Sequence, residues 1–343
     1  MVVTAAAVAL SLILASLLVA ALRARTEAER QRAEAEGMVE FMLTDLRDRL
    51  RGVGRLDIMD AVNERAMERY RRERDLSSLP ADMLLRRARL LHAMAEDDLA
   101  SASRIERGKA EAGEALRITS DLLARRPDAP DRLFAHAQSE YFAGYVAMLS
   151  NDRAQQEQHW SNYLKIADRL VEIEPGKIEW QRERGYANGN MCAVYLAAPP
   201  RPDRAIKHCT AGREAANAVW ELRRDDISAG LDLANRLAWE ADARKALGDH
   251  GQSLQLRQCE NELARALVAS SPNDARAHEA LMRSDIGLAK AYLAMGNRAA
   301  ARKTADHGRS IATQLHHQDP ENRDWISWKQ MLDDLERQTG TIN

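Results

Sequence analysis

Aromatic residues make up only 5% of this 343-residue chain, and beyond the first 22 residues no Val and Ile run alternates with period two. Strands are built from such runs, so a β-sheet protein is excluded. Three cysteines, Cys192, Cys209 and Cys259, are too few and too scattered for a disulfide framework or a zinc module. Neither sign of charge dominates, because 50 basic residues face 52 acidic ones and leave a net charge of −2. The signs are interspersed, so no basic face offers itself to nucleic acid. No GxSxG, HExxH, CxxC, Walker or GxGxxG pattern occurs, and nothing implies a cofactor.

What is abundant is Ala, Leu, Arg and Glu, which lose little on entering a helix. The fold class read from this is all-α. The N-terminal stretch "VVTAAAVALSLILASLLVAAL", Val2 to Leu22, carries no charge. As a helix it would be about 30 Å long, which matches a bilayer core. Residues 1–22 therefore read as a transmembrane anchor. A cleaved signal peptide with a small-residue site at Val19-Ala20-Ala21 is the rival reading, against which stand the missing basic n-region and the length of the run. Residues 23–37, "RARTEAERQRAEAEG", have no apolar stripe and read as a polar helical stem or a frayed linker. Arg23, Arg25, Arg30 and Arg32 follow the span, which by the positive-inside rule places the body in the cytoplasm. Residues 38–79 read as membrane-proximal helices.

Beyond them a period emerges. Pro127, Pro175, Pro272 and Pro320 follow polar helix ends with gaps of 48, 97 and 48, and the double gap is filled by "RRDDI" at 223–227. Turn clusters fall inside each period at "LSND" (149–152), "AAPPRPD" (197–203), "LGDHG" (247–251) and "MGNRA" (295–299). A fixed period of this size means stacked supersecondary units, each with room for two helices. The stretch "EIEPGKIEW" (172–180) returns as "HQDPENRDW" (317–325) and marks the seam between units. This gives a helical repeat array over 80–320, with five helix pairs, and a C-terminal capping helix and tail over 321–343.

Within the unit Leu288–Gly308, Leu288, Ala289, Tyr292, Gly296, Ala301, Ala305 and Gly308 follow a tight spacing of small and large residues. Ala205, Cys209 and Gly212 repeat the second half of it, and Gly144 begins a similar turn. This pattern resembles the tetratricopeptide repeat, a helix-turn-helix module that stacks into an α-solenoid. The period departs from the usual 34 residues, and Arg244 lies where Tyr292 aligns. Long second helices would account for the extra length. Residues 33–70 and 132–145 also resemble the membrane-proximal part of bacterial modular signalling proteins, in which a cytoplasmic effector precedes the span. That resemblance implies a single-pass inner-membrane protein with its array outside the cytoplasm, against the charge rule. No effector stands in this chain, so no kinase, nucleotide or DNA function follows from it.

Among candidate chemical groups, "HHQD" (316–319) lacks the i, i+4 spacing of helical metal ligands, and as a helix end it suits the dipole. Cys192 and Cys209 fall on the two helices of one pair. In an oxidising compartment, and if their Cα atoms approach within about 7 Å, they can form a bridge worth about 3 kcal/mol; otherwise they stay as two buried thiols. Trp160, Trp180, Trp220, Trp239, Trp325 and Trp328 read as packing residues. By helical phase, Asn190, Asn235, Asp242, Arg283 and Lys290 are the candidates for a peptide-binding groove on the face that first helices present. The functional expectation is a non-catalytic, membrane-anchored scaffold for a protein or peptide partner. The alternative is the sensor half of a transmembrane signalling protein.

Overall fold

The computed structural model describes residues 17–27, 30, 67, 79–99, 104–318 and 323–340. Among them, eleven helices follow one another from residue 81: α1 (Ala81–Leu99), α2 (Ile105–Arg125), α3 (Pro130–Leu149), α4 (Arg153–Ile173), α5 (Ile178–Leu196), α6 (Pro202–Leu222), α7 (Ile227–Ala246), α8 (His250–Ser270), α9 (Ala275–Ala294), α10 (Arg298–Gln318) and α11 (Arg323–Gly340). No strand occurs among the described residues. The odd helices begin at 81, 130, 178, 227, 275 and 323, so the unit repeats every 48 or 49 residues. First helices run 19 or 20 residues and second helices 21 in each pair from α1/α2 to α9/α10. The second helices alone therefore do not explain the long period, because both members of each pair are extended.

The turns explain why the helices stop where they do. In three pairs a residue in the left-handed region ends the first helix: Asn151 (φ 56°), Gly248 (φ 82°) and Gly296 (φ 77°). The next residue closes a Schellman motif, with Asp152, Asp249 and Asn297 each donating its amide 2.9 Å to a carbonyl five residues back. The same three side chains then cap the second helix by accepting from Gln155, Gln252 and Ala300 amides at 3.0–3.1 Å. Between pairs, Asp226 and Asp274 cap α7 and α9 in the same way. Each turn is so short that consecutive helices run antiparallel.

The pair α5/α6 is joined differently. A proline-rich link with a cis Ala198–Pro199 bond replaces the left-handed turn, and a disulfide joins Cys192 to Cys209 with Cα atoms 5.0 Å apart. In α3/α4 the corresponding contact is Gly144 against Trp160, where an added Cβ would lie 2.2 Å from the indole. Ala289, Ala301, Ala305 and Ala205 are fully or almost fully buried, Leu288 is buried beside them, and Gly308 faces Asp285 and Leu332. Tyr292 is half-buried, and Arg244, at the equivalent place, pairs instead with Glu240. Trp180 and Trp325 stand in the first turns of α5 and α11; their indole N–H groups donate to Glu174 (2.7 Å) and Glu279 (3.2 Å), tying each new unit to the one before. Trp160 and Trp220 are likewise buried, with Trp239 and Trp328 partly so.

Odd helices also pack on the next odd helix, α1 on α3, α5 on α7, α7 on α9 and α9 on α11; no two even helices pack to that degree among the described residues. The odd helices therefore line the inner wall of the stack and the even helices its outside.

The expected single-pass inner-membrane location is corrected. Among the described residues no helix is long and apolar enough to cross a membrane. Residues 1–16, most of the stem and most of 38–79 lie outside the described residues, as does Pro320.

Candidate functional site

The inner wall is read most easily from α3 to α9, where one position of the period recurs as Gln138, Tyr186, Asn235 and Arg283. In the first half of the wall this row is aromatic and closed. Tyr141 stacks on Tyr145 and meets Tyr163 edge-on. Gln138 Nε2 donates to Glu183 (3.0 Å), whose carboxyl also accepts from the Tyr163 hydroxyl (2.6 Å). These are neutral donors in a buried place, and burial pushes the Glu183 carboxyl up to about 7. Tyr186 donates to Asp232 at 2.6 Å, and Arg182 Nη2 bonds Asp226 at 2.9 Å. Arg236 runs between α5 and α7, with its guanidinium 5.7 Å from the rings of both Tyr186 and Trp239. It fits because Gly189 has no side chain: a Cβ there would lie 1.9 Å from Arg236 Nη1.

A second polar set lies behind the first half of the wall. His92 is buried, stacks on Phe142 at 5.4 Å and shares a hydrogen bond of 2.7 Å with Ser139. Thr119 links Ser139 (2.9 Å) to His136 (3.1 Å), and Glu140 is held by His159 at 2.7 Å. Burial, with His136 nearby, drives the His92 imidazole down to about 3, so it stays neutral. Related carboxylate- or amide-to-histidine contacts tie Asn188 to His208 (3.0 Å) and Asp285 to His307 (2.6 Å).

The second half of the wall is charged and open. Between α7 and α9 a cleft of about 200 Å³ is lined by Asp232, Asn235, Glu260, Arg276, Glu279 and Arg283, over a floor that includes Ala234, Ala238 and Ala280. Burial raises the Asp232 and Glu260 carboxyls above their ordinary range despite the arginines near them.

All five groove residues expected from the sequence stand on odd helices. Asn235 and Arg283 meet at this cleft. Asn190 sits on α5, half-buried, with its Nδ2 lacking a hydrogen-bond partner. Asp242 is tied to Arg257 at 2.6 Å, and Lys290 is exposed with Met331 beside it. Helical phase alone did not point to Tyr141, Tyr186, Arg236, Asp232 or Glu279. The recurrence of one position every 48 or 49 residues was the signal that could have found Tyr186. Among the described residues no group of three or more His, Cys, Asp or Glu side chains could hold a metal ion. His316 lies in the last turn of α10, and Cys259 is free and exposed.

These features define a helical-repeat solenoid with a lined inner wall. No family model matches the chain, and no curated protein does. Solved structures similar to it include tetratricopeptide proteins. TTC0263, a thermophilic TPR protein in Thermus thermophilus, is 14% identical, with 74% of this chain and 99% of that one covered and a TM-score of 0.40. YrrB, a TPR protein with an unusual peptide-binding site, is 15% identical over 70% of this chain and 91% of its own, at a TM-score of 0.30. Yeast Tom70 is 12% identical over 84% and 80%, at 0.23. At such scores the likeness carries no functional weight, and the repeat assignment rests on the helix pairs themselves.

Proposed function

We propose that the chain is a non-catalytic scaffold that holds a protein or peptide segment along the inner wall formed by its odd helices. The observation that carries this reading is the row on successive odd helices of half-buried Gln138, Tyr186 and Asn235 and exposed Arg283. Such a row offers an extended partner ring faces for packing and spaced polar groups for register. Asn190 Nδ2, without a partner on α5, is one such group. No observation favours the alternative of a signalling protein's sensor half.

The test is selection of displayed peptides on the full chain. Selected peptides should lose binding to Tyr186→Ala and Asn190→Ala and keep it with Glu214→Ala or Arg302→Ala, whose side chains are exposed on even helices. Peptides that depend on the even helices instead, or no enrichment at all, would refute the groove.

A further inference from the structure

The recurring position on the inner wall behaves as a ladder with one rung missing. Gln138 reaches Glu183, 45 residues on, at 3.0 Å. Tyr186 reaches Asp232, 46 residues on, at 2.6 Å. Arg283 lies over Trp328 at 5.4 Å, the same step further along. The matching partner for Asn235 is Ala280, whose methyl can neither donate nor accept. Asn235 Oδ1 is buried and has no hydrogen-bond partner, and the cleft opens at this point of the wall. A buried amide oxygen without a donor is a standing cost to the fold, so native proteins keep few of them.

The lining tells what would fill the gap. Asp232, Glu260 and Glu279 surround it with Asn235, and Glu260 is only 4% exposed. Of its two arginines, Arg276 bonds Asp274 at 2.7 and 3.1 Å, while Arg283 lies 3.9 Å from Glu279 and over the Trp328 ring. Glu260 accepts from Arg257 at 2.7 Å and Asp232 from Tyr186 at 2.6 Å, but nothing reaches Asn235 Oδ1. Three carboxylates against two arginines leave the lining acidic, and no donor in it reaches the Asn235 oxygen. Its volume, about 200 Å³, lies below the roughly 300–1,000 Å³ of drug-sized ligand sites and suits one long side chain. Resting on the groove reading above, we infer that the cleft between α7 and α9 takes a lysine or arginine side chain of the bound segment, which stands in for the missing rung. The raised Asp232 and Glu260 carboxyls agree with this, since each would be stabilised by an added cation.

The experiment follows the Asn235 side-chain amide by NMR while acetylated, amidated heptapeptides are added to the full chain, each with one variable residue between two runs of three glycines. With lysine or arginine at the variable place, saturable shifts are expected, at least tenfold tighter than with glutamate and weakened by salt. Ala280→Gln supplies the rung internally and should abolish the lysine response. If that variant does not fold, Glu279→Gln should weaken lysine binding several-fold while its amide oxygen can still accept from Trp325. Equal shifts with glutamate and lysine, or lysine binding that survives both changes, would overturn the inference. Silent heptapeptides alongside display-selected peptides that still need Tyr186 and Asn190 would remove this inference and leave the groove standing. Failure of both would remove the groove as well.

Discussion

Between α5 and α7 the inner wall is shut, with a crevice of about 10 Å³; between α7 and α9, on the other face of the same helix, it opens into about 200 Å³. Both seams use the same positions of the period. The first closes because Tyr186 meets Asp232 and because Gly189 makes room for Arg236. The second stays open because Ala280 is too short to meet Asn235. A repeat array can therefore hold its backbone spacing constant and decide, by one side chain per unit, which seams are structural and which are available. Closing a seam with polar groups has a consequence: the groups are buried and become sensitive to pH, as Glu183 shows in the wall and His92 in the polar set behind it.

The largest expected effect is at His92. Its imidazole is held neutral by burial, so the unfolded chain binds the proton first and stability is lost as pH falls from 6.5 towards 3. By pH 3.5 this amounts to about 4 kcal/mol, and His92→Leu should flatten that part of the curve in denaturant titrations. Hydrogen exchange should show α1 and α3 opening before α9 and α10. Glu183 has the opposite sign. Its raised carboxyl gives stability that is present below pH 4.5 and lost as pH rises through about 7. The loss is about 3 kcal/mol, and Glu183→Gln should remove it. A smaller effect is expected from Tyr186→Phe, which leaves Asp232 without its donor and should cost about 2 kcal/mol in chemical denaturation. The smallest should come from Asn235→Ala across the open seam, where no hydrogen bond is lost: within about 0.5 kcal/mol in the same measurement. A cost as large as that of Tyr186→Phe would mean that the two seams do not differ as described.

The period was legible because proline, glycine and aspartate punctuate it, and Asp152, Gly248 and Gly296 each have a local reason to stand where they do. The seam role of Trp180 was legible for the same reason, since its partner Glu174 lies within one turn's reach. The missing rung was not, because Asn235 and Ala280 become partners only once the odd helices are known to touch one another. The bridge between Cys192 and Cys209 required the same knowledge of helix approach. The uncharged run from Val2 to Leu22 matches a bilayer by count, whereas among the described residues no helix is long and apolar enough to cross one.

The shared caps set where such a chain can grow. Asp152, Asp249 and Asn297 each finish one helix and start the next, so the turns contain no residue to spare, and an inserted residue would unfasten two helix ends at once. The link from Ala197 to Arg201 does this through the backbone: the Arg201 amide donates to Tyr195, its carbonyl accepts from Arg204 and Ala205, and Arg153 holds the Pro199 carbonyl. Such an array lengthens by whole units rather than by single residues within its turns.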